Sequence, residues 1–140
     1  MEAKDTLSIF LVEDHPDSRN YLFFYLKDQG HQVRSAHTVA EALETIPAVK
    51  PDVLISDIGL PDGTGWELLT RLETPVFAIA MTGFGRPADV RRSREAGFRE
   101  HLTKPFPLQK LDILLDNALS EKNAAGSGAE AAPPDLTGGT

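Results

Sequence analysis

A chain of 140 residues, 41% of them hydrophobic, holds one domain of ordinary size with enough apolar side chain to bury a core, and a second folded domain is not expected. Its 21 acidic residues against 14 basic give a net charge of -7, which argues against binding a phosphate backbone through a basic surface, and the lack of cysteine removes disulfides, thiolate metal sites and a cysteine nucleophile. The apolar runs are far too short to span a bilayer and the N-terminus lacks a signal-peptide pattern, so a cytoplasmic protein with no membrane and no nucleic-acid partner is the expectation.

Taken in chain order, short apolar runs alternate with segments of helical spacing. Leu7 to Val12 is almost continuously apolar and reads as a buried strand. Pro16 to Gln29 repeats Leu22, Tyr25 and Leu26 at i, i+3, i+4, with Pro16 suited to a first turn and Gly30 to a stop. Gln32 to Ala36 mixes polar with small residues, as an edge strand does, and Val39 to Ile46 carries Val39, Ala42, Leu43 and Ile46 on one helical face, ended by Pro47. Val53 to Ser56 and Val76 to Met81 are two further buried strands, with a short helix from Trp66 to Leu72 between them. Pro87 to Ala96 is a polar helix, Glu100 to Thr103 a half-polar second edge, and Gln109 to Leu119 a last helix with Leu111, Leu114, Leu115, Ala118 and Leu119 inward. From Ser120 the composition turns to Ala, Gly, Ser and Pro, so residues 1–119 form the expected domain and residues 120–140 a disordered tail or linker.

This alternation predicts an α/β fold: a doubly wound five-stranded parallel sheet in the flavodoxin-like order 2-1-3-4-5, with right-handed crossovers and helices on both faces. Ligands bind such sheets at the carboxyl ends of the strands, near the reversal of strand order. There the first strand runs into Glu13-Asp14, the third into Asp57, the fourth into Thr82 and the fifth into Lys104-Pro105. Three converging carboxylates repel one another unless they protonate, pair with cations or hold a metal, and oxygen ligands without Cys or a His pair favour Mg²⁺. Asp57 is then placed to attack phosphorus, with Thr82 and Lys104 on the phosphoryl oxygens. Singly, each residue has a plainer reading: Asp57 as a turn former, Glu13-Asp14 as a helix cap, Thr82 and Lys104 as surface residues. Their arrival in order at successive strand ends carries the inference.

Glu13-Asp14, Asp57-Ile58-Gly59-Leu60-Pro61-Asp62-Gly63, Met81-Thr82-Gly83 and Leu102-Thr103-Lys104-Pro105-Phe106 together resemble the receiver domains of two-component response regulators, from about Leu7 to Leu119. The resemblance implies Asp57 as phosphoacceptor, Asp14 as a direct Mg²⁺ ligand, Glu13 acting mainly through water, and the backbone carbonyl of Gly59 as a further ligand. It implies Thr82 as the switch hydroxyl, Lys104 as the phosphate partner, and a cis Lys104-Pro105 bond. It further implies a histidine kinase or histidine phosphotransfer protein as donor, a downstream protein target on the face of helix 4, strand 5 and helix 5, and output by binding rather than by enzymatic turnover of a small substrate, with slow autodephosphorylation.

The sequence departs from the family pattern at His101, where a Tyr or Phe usually swings inward with the threonine; a histidine there gives the response a titratable element. Loop Gly83-Phe84-Gly85 supplies two glycines for backbone change, and the segment from Gly65 to Val76 is short. Arg86, Arg91, Arg92 and Arg94 read as a solvated face, Trp66 and Phe106 as packing residues, and His15, His31 and His37 receive no role. A haloacid-dehalogenase-type phosphatase also forms an aspartyl phosphate but needs a second acid where Gly59 stands. A flavodoxin-like cofactor site would require a phosphate loop where Glu13-Asp14-His15-Pro16 stands, and a receiver-like module without turnover leaves Asp57, Thr82 and Lys104 unexplained.

Overall fold

The computed structural model describes residues 6–73, 75–83 and 85–128; Phe84 and the stretch 129–140, in which most of the expected tail falls, lie outside the described residues. In chain order the elements are β1 (Ser8–Val12), α1 (Pro16–Asp28), β2 (Gln32–Ala36), α2 (Val39–Val49), β3 (Val53–Asp57), β4 (Gly59–Leu60), β5 (Gly63–Thr64), α3 (Gly65–Arg71), β6 (Phe77–Thr82), α4 (Pro87–Ala96), β7 (Glu100–Thr103) and α5 (Leu108–Gly128). The main sheet runs β2-β1-β3-β6-β7, all parallel, which is the predicted order once the two-residue hairpin β4-β5 is counted apart.

Strand side chains point alternately to the two faces. Ile9, Leu11, Val53, Ile55, Ile79 and Met81 therefore meet Leu22 and Leu26 of α1 and Leu111, Leu114 and Leu115 of α5. Phe10, Val12, Leu54, Ala78 and Ala80 meet Val39, Ala42 and Ile46 of α2 and Leu68 of α3. Burial on both faces explains why the central strands are apolar throughout, while β2 and β7, at the edges, are only half buried.

Two elements run past their expected ends. Helix α2 continues through Pro47 to Val49. The proline removes one ladder hydrogen bond, but only two residues follow it, Val49 packs on the core, and Lys50 in the left-handed conformation closes the helix with its N–H on the Ile46 carbonyl. Helix α5 extends to Gly128, beyond Leu119. Contacts invisible in composition hold its continuation: Glu121 pairs with Arg99, and Lys122 reaches the Asp52 carboxylate at 3.0 Å. His31, given no role from sequence, accepts the Leu7 N–H through Nδ1 at 3.0 Å and ties the start of β2 to that of β1. Among the described residues no helix is long and apolar enough to cross a membrane.

Ile55, on the central strand and 0% exposed, has no room to collapse around a lost side chain. Ile55→Ala is expected to cost about 2–5 kcal/mol, seen as a lower urea midpoint at unchanged slope. Ile113→Ala, at a position 59% exposed on α5, is expected to cost under about 0.5 kcal/mol.

Candidate functional site

Parallel register delivers the marked residues to one edge. Val12 lies opposite Ser56, so Glu13, just past the end of β1, and Asp57, the last residue of β3, arrive side by side. Asp57 lies opposite Met81, which puts Thr82 one step beyond it, and Thr82 lies opposite Thr103, which leads into Lys104. The Lys104 N–H donates to the Thr82 carbonyl at 2.7 Å, and the Lys104-Pro105 bond is cis, as the sequence resemblance implied.

The Lys104 ammonium bridges the two buried acids, 2.7 Å from Glu13 Oε1 and 2.8 Å from Asp57 Oδ1. Asp14 is exposed beside them, and the three carboxylates offer oxygens that all lie within 4.8 Å of one another. Gly65 N–H closes the following loop onto the Ile58 carbonyl at 2.8 Å. A side chain at Gly65 would put its Cβ 2.5 Å from the Asp57 carbonyl oxygen, so only glycine allows α3 to start this close behind the acid.

One ammonium cannot neutralise three carboxylates, and protons make up part of the difference. Burial first, and the hydrogen bond with Glu13 second, push the Asp57 carboxyl up to about 8. Burial also raises Glu13, but hydrogen bonds from Asp57, Lys104 and the His15 N–H outweigh it and hold Glu13 below its ordinary range. The pair therefore shares one proton, which sits mainly on Asp57. An all-oxygen donor set with uncompensated negative charge fits a small hard divalent cation such as Mg²⁺, which takes one or two carboxylates and keeps waters.

The other marked residues are distributed around this centre. Thr82 is half buried at the end of β6, and Gly59 opens β4 two residues past Asp57. His101 stands apart: it lies opposite Ala80, hence on the sheet face shared with α2 and α3, with Asp89 of α4 near enough to act on its charge. Its Nε2 is buried without a hydrogen-bond partner among the described residues, and burial pulls the imidazole below its ordinary pKa, with Asp89 opposing. Of the arginines near α4, Arg92 stacks on the Trp66 ring at 4.2 Å, while Arg91 and Arg94 are exposed.

Sequence reasoning missed Arg19. From α1 its guanidinium reaches back to the carbonyls of Glu13 at 3.0 Å and Asp14 at 3.4 Å, fixing the backbone that presents both acids. Its position one turn into the helix after the acidic pair was the available signal. Beside Lys104 and Glu13 lies a groove of about 240 Å³ walled by Tyr21, Leu22, Phe106 and Leu108, and exposed Phe24 lies one turn along α1 from Tyr21.

The family model for the response regulator receiver domain matches residues 9–116. Over 126 residues the chain is 34% identical to the uncharacterized 14.6 kDa protein in the sodA1 3' region of Leptolyngbya boryana, covering 86% of this chain and 96% of that one. It is 32% identical to the KDP operon transcriptional regulatory protein KdpE of Escherichia coli K12, over 84% of this chain but 53% of KdpE, so it spans about half of that relative. A crystal structure of a response regulator receiver domain protein from Clostridium thermocellum superposes with a TM-score of 0.78 at 27% identity, covering 84% of this chain and 98% of that one.

The raised Asp57 pKa has a measurable consequence. The folded, cation-free protein keeps a proton on Asp57 that an unfolded carboxyl loses near 3.8, so this contribution to stability is full below 3.8 and lost as pH rises through about 8. Asp57→Asn carries no such charge. In chelator it is expected to melt higher than wild type above about pH 8, with the difference shrinking toward acid; parallel melting curves across that range would contradict the shared-proton description.

Proposed function

The chain belongs to the response regulator receiver family of two-component signalling, and from that premise we propose that it accepts a phosphoryl group on Asp57 and uses the added charge to change a protein-binding surface. The observation that carries this is the buried Asp57 carboxyl held between Glu13 and the Lys104 ammonium at the open edge of the sheet.

An Asp57 oxygen attacks the phosphorus of a phosphohistidine on a histidine kinase or phosphotransfer protein. The P–O bond forms as the P–N bond breaks, and the imidazole nitrogen takes the electron pair. Lys104, released from its Asp57 contact, and the Thr82 hydroxyl meet the phosphoryl oxygens. Asp14, Asp57 and the Gly59 carbonyl would hold Mg²⁺, with Glu13 acting through water, and the bound ion would supply positive charge to the phosphoryl oxygens. Slow hydrolysis follows from the same groups: water attacks phosphorus, the P–O bond to Asp57 breaks, and inorganic phosphate leaves. Exposed Tyr21 and Phe24 beside the Lys104 groove favour a protein donor, because their rings offer apolar contact area that a small phosphate compound cannot cover.

The phosphoryl group brings a charge of about -1.5 to -2. Thr82 and His101, on adjacent strands, relay the change to the face formed by α4, β7 and α5, where a downstream protein binds.

Incubation with Mg²⁺ and acetyl phosphate, followed by intact-mass measurement, is expected to add one phosphoryl group to wild type and none to Asp57→Ala. Lys104→Met is expected to slow the addition by at least about 10-fold. Absence of the increment in wild type, or its persistence in Asp57→Ala, would sink the proposal.

A further inference from the structure

The loop that follows Asp57 is fixed at both ends. At its base, the Ile58 N–H donates to the Met81 carbonyl at 3.0 Å, and the Gly65 N–H donates to the Ile58 carbonyl. Between them β4 and β5 form a two-rung antiparallel ladder, Gly59 opposite Thr64 and Leu60 opposite Gly63, turned by Pro61 and Asp62. A hairpin this short has too little ladder to hold its own orientation.

At the tip, Asp62 crosses to another element. Its Oδ1 accepts the Val39 N–H at 2.8 Å and its Oδ2 the Ala40 N–H at 2.9 Å, at the start of α2. The next free N–H of that helix, on Glu41, goes to the Thr38 hydroxyl at 3.0 Å, so Asp62 and Thr38 divide the orphan donors of the α2 N-terminus between them. Those two N–H groups, Ala40 first and Val39 second, hold the Asp62 carboxyl below the ordinary carboxylate range. The tip also lies against α2, where a Cβ on Gly63 would be 3.3 Å from Val39 Cγ2, and against the first turn of α3, where it would be 2.7 Å from Glu67 Oε1. Asp62 is exposed to solvent, yet both of its oxygens are committed to backbone on a different element.

We propose that Asp62 is a positioning residue for the cation site: by latching the hairpin tip to the N-terminus of α2, it holds Gly59, at the other end of the ladder, where its carbonyl serves Mg²⁺. This rests on the phosphoacceptor reading of the site. Asp62 touches neither ion nor phosphorus. It acts through the orientation of a two-residue hairpin pivoting on Ile58, and so sets cation affinity rather than the rate of phosphoryl transfer once the ion is bound.

The test is calorimetric titration with MgCl₂ of the full chain and of Asp62→Ala, Asp62→Asn and Thr38→Ala, alongside acetyl-phosphate labelling as Mg²⁺ is raised. Asp62→Ala is expected to weaken Mg²⁺ binding by about 10-fold while reaching the wild-type labelling rate at saturating Mg²⁺. Asp62→Asn keeps one acceptor oxygen and is expected to fall between. Thr38→Ala removes a cap from the same helix without touching the loop, so it lowers melting temperature and leaves Mg²⁺ affinity unchanged. Unaltered affinity in both Asp62 variants, equal weakening in Thr38→Ala, or a labelling rate that stays depressed at saturating Mg²⁺ would each overturn the assignment. Wild type that fails to bind Mg²⁺ would instead overturn the phosphoacceptor reading beneath it.

Discussion

Two carboxyl groups, on Glu13 and Asp57, stand side by side at the rim of an apolar sheet that cannot solvate their charge, and a single ammonium from Lys104 bridges them. Much else at this edge answers to that conflict. The proton retained by Asp57, the exposed Asp14 beside the pair and the donor set of oxygens alone are three aspects of one uncompensated negative site. Such a site takes up positive charge readily, and any group that exchanges with the Lys104 contact changes the balance at once.

The fold makes this conflict tolerable by concentrating rigidity behind it. Residues 9–12 and 53–57 are nearly inaccessible, packed by α1 and α5 on one face and by α2 and α3 on the other, so the strand ends cannot spread apart to relieve repulsion. Loops take the remaining freedom, and those that follow β1 and β3 are restrained from outside. Arg19 grips the carbonyls behind Glu13 and Asp14; Met81 and Ile58 fix the base of the β4-β5 hairpin; the Thr64 and Glu67 capping box sets α3 directly behind Asp57. Preorganisation of this kind places charge before a ligand arrives.

At the far side of β7 the structure is less committed. His101 occupies a half-buried edge position, its Nε2 without a hydrogen-bond partner among the described residues, next to the polar helix α4, of which only Ser93 is buried. An edge strand flanked by a helix with one buried residue has fewer packed neighbours to resist a local change than the central strands do. The proposed switch draws on the contrast between the tightly packed centre and this looser margin.

Periodicity and composition determined the strands, their order and the carboxyl-edge cluster, because hydrophobic patterns are local and the parallel crossover rule leaves few ways to join them. Val53 to Asp57 read as a central strand for the same reason that it is one: both faces are covered. Tertiary structure alone decided what depends on partners distant in the chain. Pro47 marks a helix end in sequence, yet core packing of Val49 carries α2 past it; composition ends the domain near Leu119, yet Arg99 and Asp52 hold Glu121 and Lys122. His31, Arg19 and Asp62 are ordinary surface residues until the fold supplies the Leu7 N–H, the Glu13 carbonyl and the first turn of α2. A polar side chain's role is set by which backbone group it meets, and that meeting exists only once the chain has closed on itself.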